Sequence, residues 1–126
     1  MEIPVLQDAI ILVAEDDMAN YTYLEKLLSK TEAKIIHAVN GKQTLTLFKE
    51  NPEIKLILMD IKMPEMNGIE ALTELKKQGL NVPVIAQTAY AYSNEIKQIM
   101  EAGFDGYITK PIRQKVLYSL LLKHTN

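Results

Sequence analysis

The sequence contains no cysteine and no tryptophan. Without cysteine it has neither a disulfide framework nor a thiolate metal site, and a reducing compartment is compatible with it. The formal net charge is -2 over 126 residues, and basic residues are scattered among acids, which argues against direct nucleic-acid binding. No apolar run approaches the roughly 18 residues of a membrane-spanning helix. We therefore expect one cytoplasmic domain that makes no contact with membrane or nucleic acid.

Short apolar segments alternate with amphipathic segments along the chain. This alternation predicts an α/β fold in which helices cover both faces of a parallel sheet. Ser93 is expected to cap the fourth helix, and Gly79 and Gly103 to end the third and fourth helices. Residues 1–8 are expected to be a lead-in or linker, and 9–126 the domain. The predicted strands are 10–14, 33–39, 55–59, 82–87 and 106–109, and the predicted helices are 18–30, 41–50, 69–78, 93–102 and 112–124.

Three carboxylates stand where predicted strands end. Glu15 and Asp16 follow the first strand, and Asp60 follows the third. The carboxyl ends of parallel strands meet at one edge of the sheet, where open α/β folds bind ligands. Carboxylates gathered there repel one another unless a cation is present, and Mg²⁺ suits such a ligand set. A single acid at a strand end is usually a helix cap, so the predicted magnesium site depends on all three together.

Asp60 is the best candidate for a nucleophile, because it follows a wholly apolar strand. Attack of its carboxylate on a phosphoryl group would give an aspartyl phosphate, with charge neutralised by Mg²⁺ and by the ammonium of Lys110 after the fifth strand. The backbone carbonyl of Lys62 is a further expected metal ligand. Thr88, after the fourth strand, is either a hydrogen-bond donor to a phosphoryl oxygen or an ordinary β-branched strand residue.

Three other side chains have more than one interpretation. Tyr107, in the fifth predicted strand, is either a core aromatic or a mobile ring whose orientation follows Thr88. His37 and His124 have no partner signature nearby, which favours structural or solvated roles.

Four sequence blocks follow the strand ends in a fixed order, and together they resemble the receiver domains of two-component response regulators. The resemblance implies a flavodoxin-like (βα)5 three-layer sandwich with a parallel sheet of order 2-1-3-4-5. It further implies that Asp60 accepts a phosphoryl group from a phosphohistidine, that Thr88 and Tyr107 form a switch pair, and that Lys110 binds the phosphate. Glu15, Asp16, Asp60 and the Lys62 carbonyl would bind Mg²⁺. The blocks are ILVAEDD (11–17), LMDIKMPEMNG (58–68), QTA (87–89) and GYITKP (106–111).

The same resemblance implies partners. A histidine kinase or a histidine phosphotransfer domain would supply the phosphoryl group, and a downstream protein would bind the face made by the fourth helix, fifth strand and fifth helix. Residues 83–89 and 103–112 are most like receivers of hybrid sensor histidine kinases, whose parent protein can be membrane-anchored. A stand-alone single-domain response regulator is the alternative, and homodimerisation is left open. The module is expected to promote its own phosphorylation and dephosphorylation without being an enzyme.

Two other functions fit less well. A Mg²⁺-dependent phosphohydrolase resembling haloacid dehalogenases would carry Asp-x-Asp at the first strand, whereas residues 60–62 end the third strand and lack the second acid. A flavin-binding module would need hydroxyls and small residues where the first strand is followed by acids. The resemblance also places Lys62 and Tyr90 beside the acyl phosphate. Neither orients a water, and the Tyr90 ring would screen in-line attack, so slow self-dephosphorylation is expected.

Overall fold

The computed structural model describes residues 2–89 and 92–125. Within these residues every predicted strand and helix is present, and their ends differ from prediction by at most two residues. The strands are β1 (Ile10–Ala14), β2 (Lys34–Ala38), β3 (Ile54–Asp60), β4 (Val84–Thr88) and β5 (Gly106–Thr109), and the helices are α1 (Met18–Ser29), α2 (Gly41–Glu50), α3 (Gly68–Lys77), α4 (Ser93–Ala102) and α5 (Gln114–Thr125).

The five strands form one parallel sheet of order β2-β1-β3-β4-β5. This order confirms the predicted flavodoxin-like fold. The central strands β3 and β4 are almost entirely buried, as expected of strands covered on both faces, whereas edge strand β2 is mostly half-buried. Because β1 and β3 are neighbours, the residues at their carboxyl ends lie side by side.

Side chains along each strand alternate between two separate core clusters. One cluster, which includes Met59 and Ala86, lies between the sheet and α2, α3 and α4. The other, which includes Leu58 and Ile85, lies between the sheet and α1 and α5. The same alternation places the side chains of residues 60 and 87 on the α1/α5 face.

The helix ends follow the sequence signals with one exception. Gly79 and Gly103 adopt positive φ angles of 85° and 104° just beyond α3 and α4, as predicted. The N-cap predicted at Ser93 is wrong. The extended backbone of the cap falls on Tyr92, which makes no side-chain capping bond, so Ser93 is already the first helical residue.

The described part of the predicted lead-in contacts the domain. The Leu6 amide donates to the Thr31 carbonyl at 2.7 Å, and the Leu6 side chain packs against the cluster under α1 and α5. The domain boundary at residue 9 stays a prediction. Among the helices of residues 2–89 and 92–125, none has the length and apolar character needed to cross a bilayer.

Candidate functional site

Glu15 and Asp60 lie next to each other at the carboxyl edge of the sheet. Ala14 pairs with Met59 across β1 and β3, so the residues that follow them are neighbours. The Glu15 amide donates to the Ala38 carbonyl at 2.9 Å, which continues the ladder with β2. Glu15 is fully buried and Asp60 is 5% exposed. The fold therefore holds two adjacent carboxylates largely away from water.

Asp16 completes an acidic cluster with these two residues. One carboxylate oxygen from each of Glu15, Asp16 and Asp60 lies within 4.8 Å of the others. Since Mg–O distances are about 2.1 Å, oxygens on opposite sides of one ion are separated by about 4.2 Å. A small side-chain adjustment would thus bring all three into one coordination sphere, and oxygen-only donors suit a hard cation. Lys62, two residues after Asp60, is exposed, and the role of its carbonyl stays a prediction.

The ammonium of Lys110 contacts both buried carboxylates. Its Nζ lies 3.0 Å from Oε1 of Glu15 and 3.1 Å from Oδ2 of Asp60. Its amide donates to the Thr88 carbonyl at 2.8 Å, which holds the residue at the end of β4, and the peptide bond to Pro111 is cis. The lysine predicted to serve the site therefore contacts the predicted nucleophile directly.

The electrostatics of the cluster favour an additional positive charge. Burial, followed by the hydrogen bond and the charge of Glu15, raises the pKa of Asp60 to about 7, although Lys110 acts in the opposite direction. Burial alone would lower the pKa of Lys110, but the hydrogen bond to Glu15 and the charges of Asp60 and Glu15 outweigh it, so the Lys110 pKa is raised. One ammonium thus does not fully compensate the clustered carboxylates, and the residues present fit a divalent cation.

Thr88 and Tyr107 lie on the opposite face of the sheet from Asp60. Thr88 ends β4 and is 4% exposed. Tyr107 pairs with Ala86, so its side chain and that of Thr88 share the face covered by α4. Tyr107 is 37% exposed, which excludes the interpretation of Tyr107 as a core aromatic. Its motion with Thr88 stays a prediction, and Tyr90, named above as a screen, lies outside the described residues.

The sequence predicted no role at this edge for Gln87, and only a structural or solvated role for His37. Gln87 precedes Thr88 and is fully buried. His37 stacks on Tyr21, with ring centroids 3.5 Å apart, and its Nε2 lies 2.8 Å from the Glu15 carbonyl oxygen. Because a carbonyl only accepts, Nε2 must be the protonated nitrogen of His37. Both residues are placed at this edge by their register, His37 opposite β1 and Gln87 opposite β3. That register can be read only once the strand order is known.

Taken together, the fold and the site define a flavodoxin-like α/β domain with an acidic cluster and a lysine at the carboxyl edge of its sheet. Residues 11–122 match the response regulator receiver domain family. The chain belongs to that family, whose members are the receiver domains of two-component phosphorelays.

Relatives of two kinds share this sequence. The chain is 37% identical over 119 residues to hybrid signal transduction histidine kinase I of Dictyostelium discoideum, covering 88% of this chain but 7% of that protein. It is 35% identical over 124 residues to two-component response regulator 24 of Arabidopsis thaliana, covering 97% of this chain and 89% of that protein. The chain thus corresponds to a small part of a hybrid kinase and to most of a response regulator.

A solved structure gives a similar result. The chain resembles one in the co-crystal structure of the Saccharomyces cerevisiae histidine phosphotransfer signaling protein Ypd1 and the receiver domain of its downstream response regulator Ssk1. The TM-score is 0.86 at 25% identity, over 99% of this chain and 92% of that chain.

Proposed function

We propose that this receiver domain accepts a phosphoryl group on Asp60 from the phosphohistidine of a histidine kinase or histidine phosphotransfer domain. The observation that carries the proposal is the contact of the Lys110 ammonium with Asp60 at 3.1 Å inside a buried acidic cluster. An Oδ atom of ionised Asp60 attacks phosphorus, the P–N bond breaks, and the imidazole nitrogen keeps the bonding electrons and takes up a proton. Lys110 offsets the charge of the acyl phosphate that forms.

Mg²⁺ is the proposed cofactor. Glu15, Asp16 and Asp60 would hold it with the carbonyl of Lys62, and their proximity within 4.8 Å supports the first three ligands. The bound ion would neutralise charge on the phosphoryl oxygens. The residues of this chain position the nucleophile, since the β1 and β3 backbones fix Glu15 and Asp60 side by side.

Thr88 and Tyr107 are proposed to transmit the phosphorylation state to the surface made by α4, β5 and α5. The hydroxyl of Thr88 would donate to a phosphoryl oxygen, and Tyr107, on the same sheet face, would follow its movement. Large apolar side chains of these three elements, and of the residue before α4, are exposed, as expected of a site for a downstream protein. They are Tyr92, Met100, Tyr107 and Val116, with exposed fractions of 70%, 45%, 37% and 44%.

We infer that the domain comes from a hybrid histidine kinase, with a stand-alone response regulator as the alternative. The likeness to the Dictyostelium kinase supports the first origin, and the likeness to the Arabidopsis regulator supports the second. In both cases a histidine phosphotransfer protein is a fitting donor, since the yeast Ypd1–Ssk1 co-crystal structure pairs such a protein with a receiver domain.

Intact mass spectrometry tests the phosphoacceptor assignment. After incubation with Mg²⁺ and acetyl phosphate, we expect one added phosphoryl group in the wild type, lost with hydroxylamine, and none in Asp60→Asn. Asp8→Asn, at an exposed turn, is the matched control and should be modified normally. An adduct on Asp60→Asn would assign the chemistry to another carboxylate. A folded wild type unmodified by both acetyl phosphate and a phosphorylated phosphotransfer domain would contradict the proposed function.

A further inference from the structure

Gln87 belongs to a row of polar groups that crosses the sheet on its α1/α5 face. Asp60 pairs in register with Gln87 across β3 and β4, and Glu15 stands beside Asp60 on β1. Alternation puts Gln87 on the same face as Ile85, which belongs to the core cluster under α1 and α5. Gln87 therefore lies on the sheet between the acidic pair and β5, the strand that Lys110 directly follows.

The Gln87 amide is fully buried, and within residues 2–89 and 92–125 it has no hydrogen-bond partner. Neither Oε1 nor Nε2 is bonded to any group in that part of the chain. Buried polar groups are normally paired, because an unpaired one gives up its bonds to water without replacement. An apolar side chain of the same size would fill this position without that cost. The amide thus requires an explanation beyond packing.

Lys110 lies beside the carboxyl end of β4, the strand that carries Gln87. Its backbone is held at the end of β4 by the bond to Thr88, and its Nζ reaches Asp60 on β3 at 3.1 Å. β4 lies between β5 and β3, so the Lys110 side chain must extend across the carboxyl end of β4 to reach Asp60, whose side chain is on the same face as Gln87. An ammonium has three N–H donors, and the two contacts to Glu15 and Asp60 leave one more.

We propose that Gln87 is a positioning residue for Lys110. Its Oε1 accepts a hydrogen bond from the ammonium when a divalent cation occupies the carboxylates that Lys110 now contacts. This inference rests on the proposed function, because it assumes that Glu15 and Asp60 become metal ligands. Gln87 does not touch the phosphoryl group and acts through Lys110.

The physical reason is competition for the same oxygens. Lys110 now contacts Oε1 of Glu15 and Oδ2 of Asp60, and a dication that takes either oxygen would displace the ammonium from it, because the two cations repel each other. A neutral amide oxygen on β4 provides a replacement acceptor close to Asp60. Because the amide carries no charge, it holds the ammonium without weakening the attraction between Lys110 and an incoming phosphoryl group.

Gln87→Met removes the acceptor at similar volume, and Ile85→Met, two residues earlier on the same face, is the matched control. For Gln87→Met we expect about 10-fold weaker Mg²⁺ binding by calorimetry and about 10-fold slower phosphorylation by acetyl phosphate, as for supporting partners of metal sites. Urea unfolding in EDTA should show no loss of stability. Ile85→Met should leave Mg²⁺ affinity and phosphorylation rate unchanged. Unchanged affinity and rate in Gln87→Met would overturn the proposal, as would lower stability with unchanged rate.

A second measurement needs only the wild type. In ¹⁵N-labelled protein, we expect the Gln87 side-chain amide resonances and the Lys110 ammonium resonance to shift together as Mg²⁺ is added. Resonances of Gln87 that stay fixed while the Lys110 signal moves would overturn the proposal even if Gln87→Met fails to fold. The mass experiment with Asp60→Asn tests the proposed function separately. A wild type that is phosphorylated on Asp60, but whose Gln87 resonances do not respond to Mg²⁺, would refute this inference and leave the proposed function intact.

Discussion

At the scale of single residues, the protonation of Asp60 links the site to stability. Burial first, and then the hydrogen bond and charge of Glu15, raise the pKa of Asp60 to about 7. An aspartate in an unfolded chain has a pKa of about 3.9. Between these values the folded protein binds more protons than the unfolded chain, so the free energy of unfolding falls as pH rises from about 4 to about 7.

Asp60→Asn should therefore stabilise the metal-free protein at high pH. At pH about 8 we expect the variant to resist unfolding by about 2 kcal/mol more than the wild type, with the difference vanishing towards pH about 4. Urea unfolding followed by circular dichroism in EDTA measures both. Asp17→Asn is the control, because Asp17 is exposed and Asn caps a helix equally well. Equal stability of wild type and Asp60→Asn at both pH values would contradict a raised pKa.

The sequence identifies a residue of this site only where a polar residue ends a run of apolar ones. Asp60 and Glu15 each end such a run, so their positions at the sheet edge could be predicted. Gln87 lies at the end of a predicted strand and is followed directly by Thr88. The sequence pattern therefore suggested a functional role for Thr88 and none for Gln87. Only the register with Asp60 reveals that Gln87 shares the face of the acids. Register depends on how strands pair in space, which one chain's local pattern does not specify.

At the scale of elements, the start of α3 is packed against the backbone of Asp60, the proposed nucleophile. A Cβ on Gly68 would lie 2.5 Å from the Asp60 carbonyl oxygen and 3.0 Å from the Ile61 Cα. The Gly68 amide also donates to the Ile61 carbonyl at 2.8 Å. Both neighbours are backbone atoms, so they cannot yield without moving the end of β3.

We expect Gly68→Ala to lower the free energy of unfolding by about 3 kcal/mol and to slow phosphorylation, because overpacking shifts the Asp60 backbone. Gly79→Ala is the matched control. Gly79 has a φ of 85° but nothing within 4 Å of its would-be Cβ, so it should lose about 1 kcal/mol and keep its phosphorylation rate. Chemical denaturation and intact mass over time provide the two readouts. Equal effects of the two substitutions on the phosphorylation rate would contradict the inference that Gly68 is packed closely against the Asp60 backbone.

The two ends of α4 show which helix boundaries the local sequence is enough to predict. Gly103 was predicted to end α4 and does so, because a left-handed residue strongly favours glycine. Ser93 was predicted to cap the same helix and does not, because Tyr92 takes the extended cap conformation. Many residues can adopt an extended backbone, so the local sequence specifies the start of α4 only to within a residue.

At the scale of the whole molecule, β4 lies between the two helical layers of the sandwich. Its successive residues Gln87 and Thr88 point to opposite faces, one towards the acidic row and the other towards the α4 side that carries Tyr107. A change of charge at Asp60 can therefore act on both layers through one strand. The family resemblance implied the order of strands, and the two-sided arrangement of Gln87 and Thr88 follows from the alternation of side chains along β4.

Metal binding should stabilise the entire fold, since only the folded chain brings Glu15, Asp16 and Asp60 within 4.8 Å. At a Mg²⁺ concentration of about 100 times Kd, the free energy of unfolding should rise by about 2.7 kcal/mol. The rise should be smaller at pH 5 than at pH 8. Burial and Glu15 raise the pKa of Asp60, so at pH 5 its carboxyl group is protonated and the proton competes with the ion.

Thermal and urea unfolding with Mg²⁺ or EDTA measure this increment. Asp16→Asn should remove most of it while leaving the EDTA stability unchanged, because Asp16 is exposed. Glu65→Gln, at another exposed acid in the loop before α3, should retain the full increment. A wild type that gains nothing from Mg²⁺ at pH 8, or an Asp16→Asn variant that gains as much as Glu65→Gln, would mean that the acidic cluster is not the metal site.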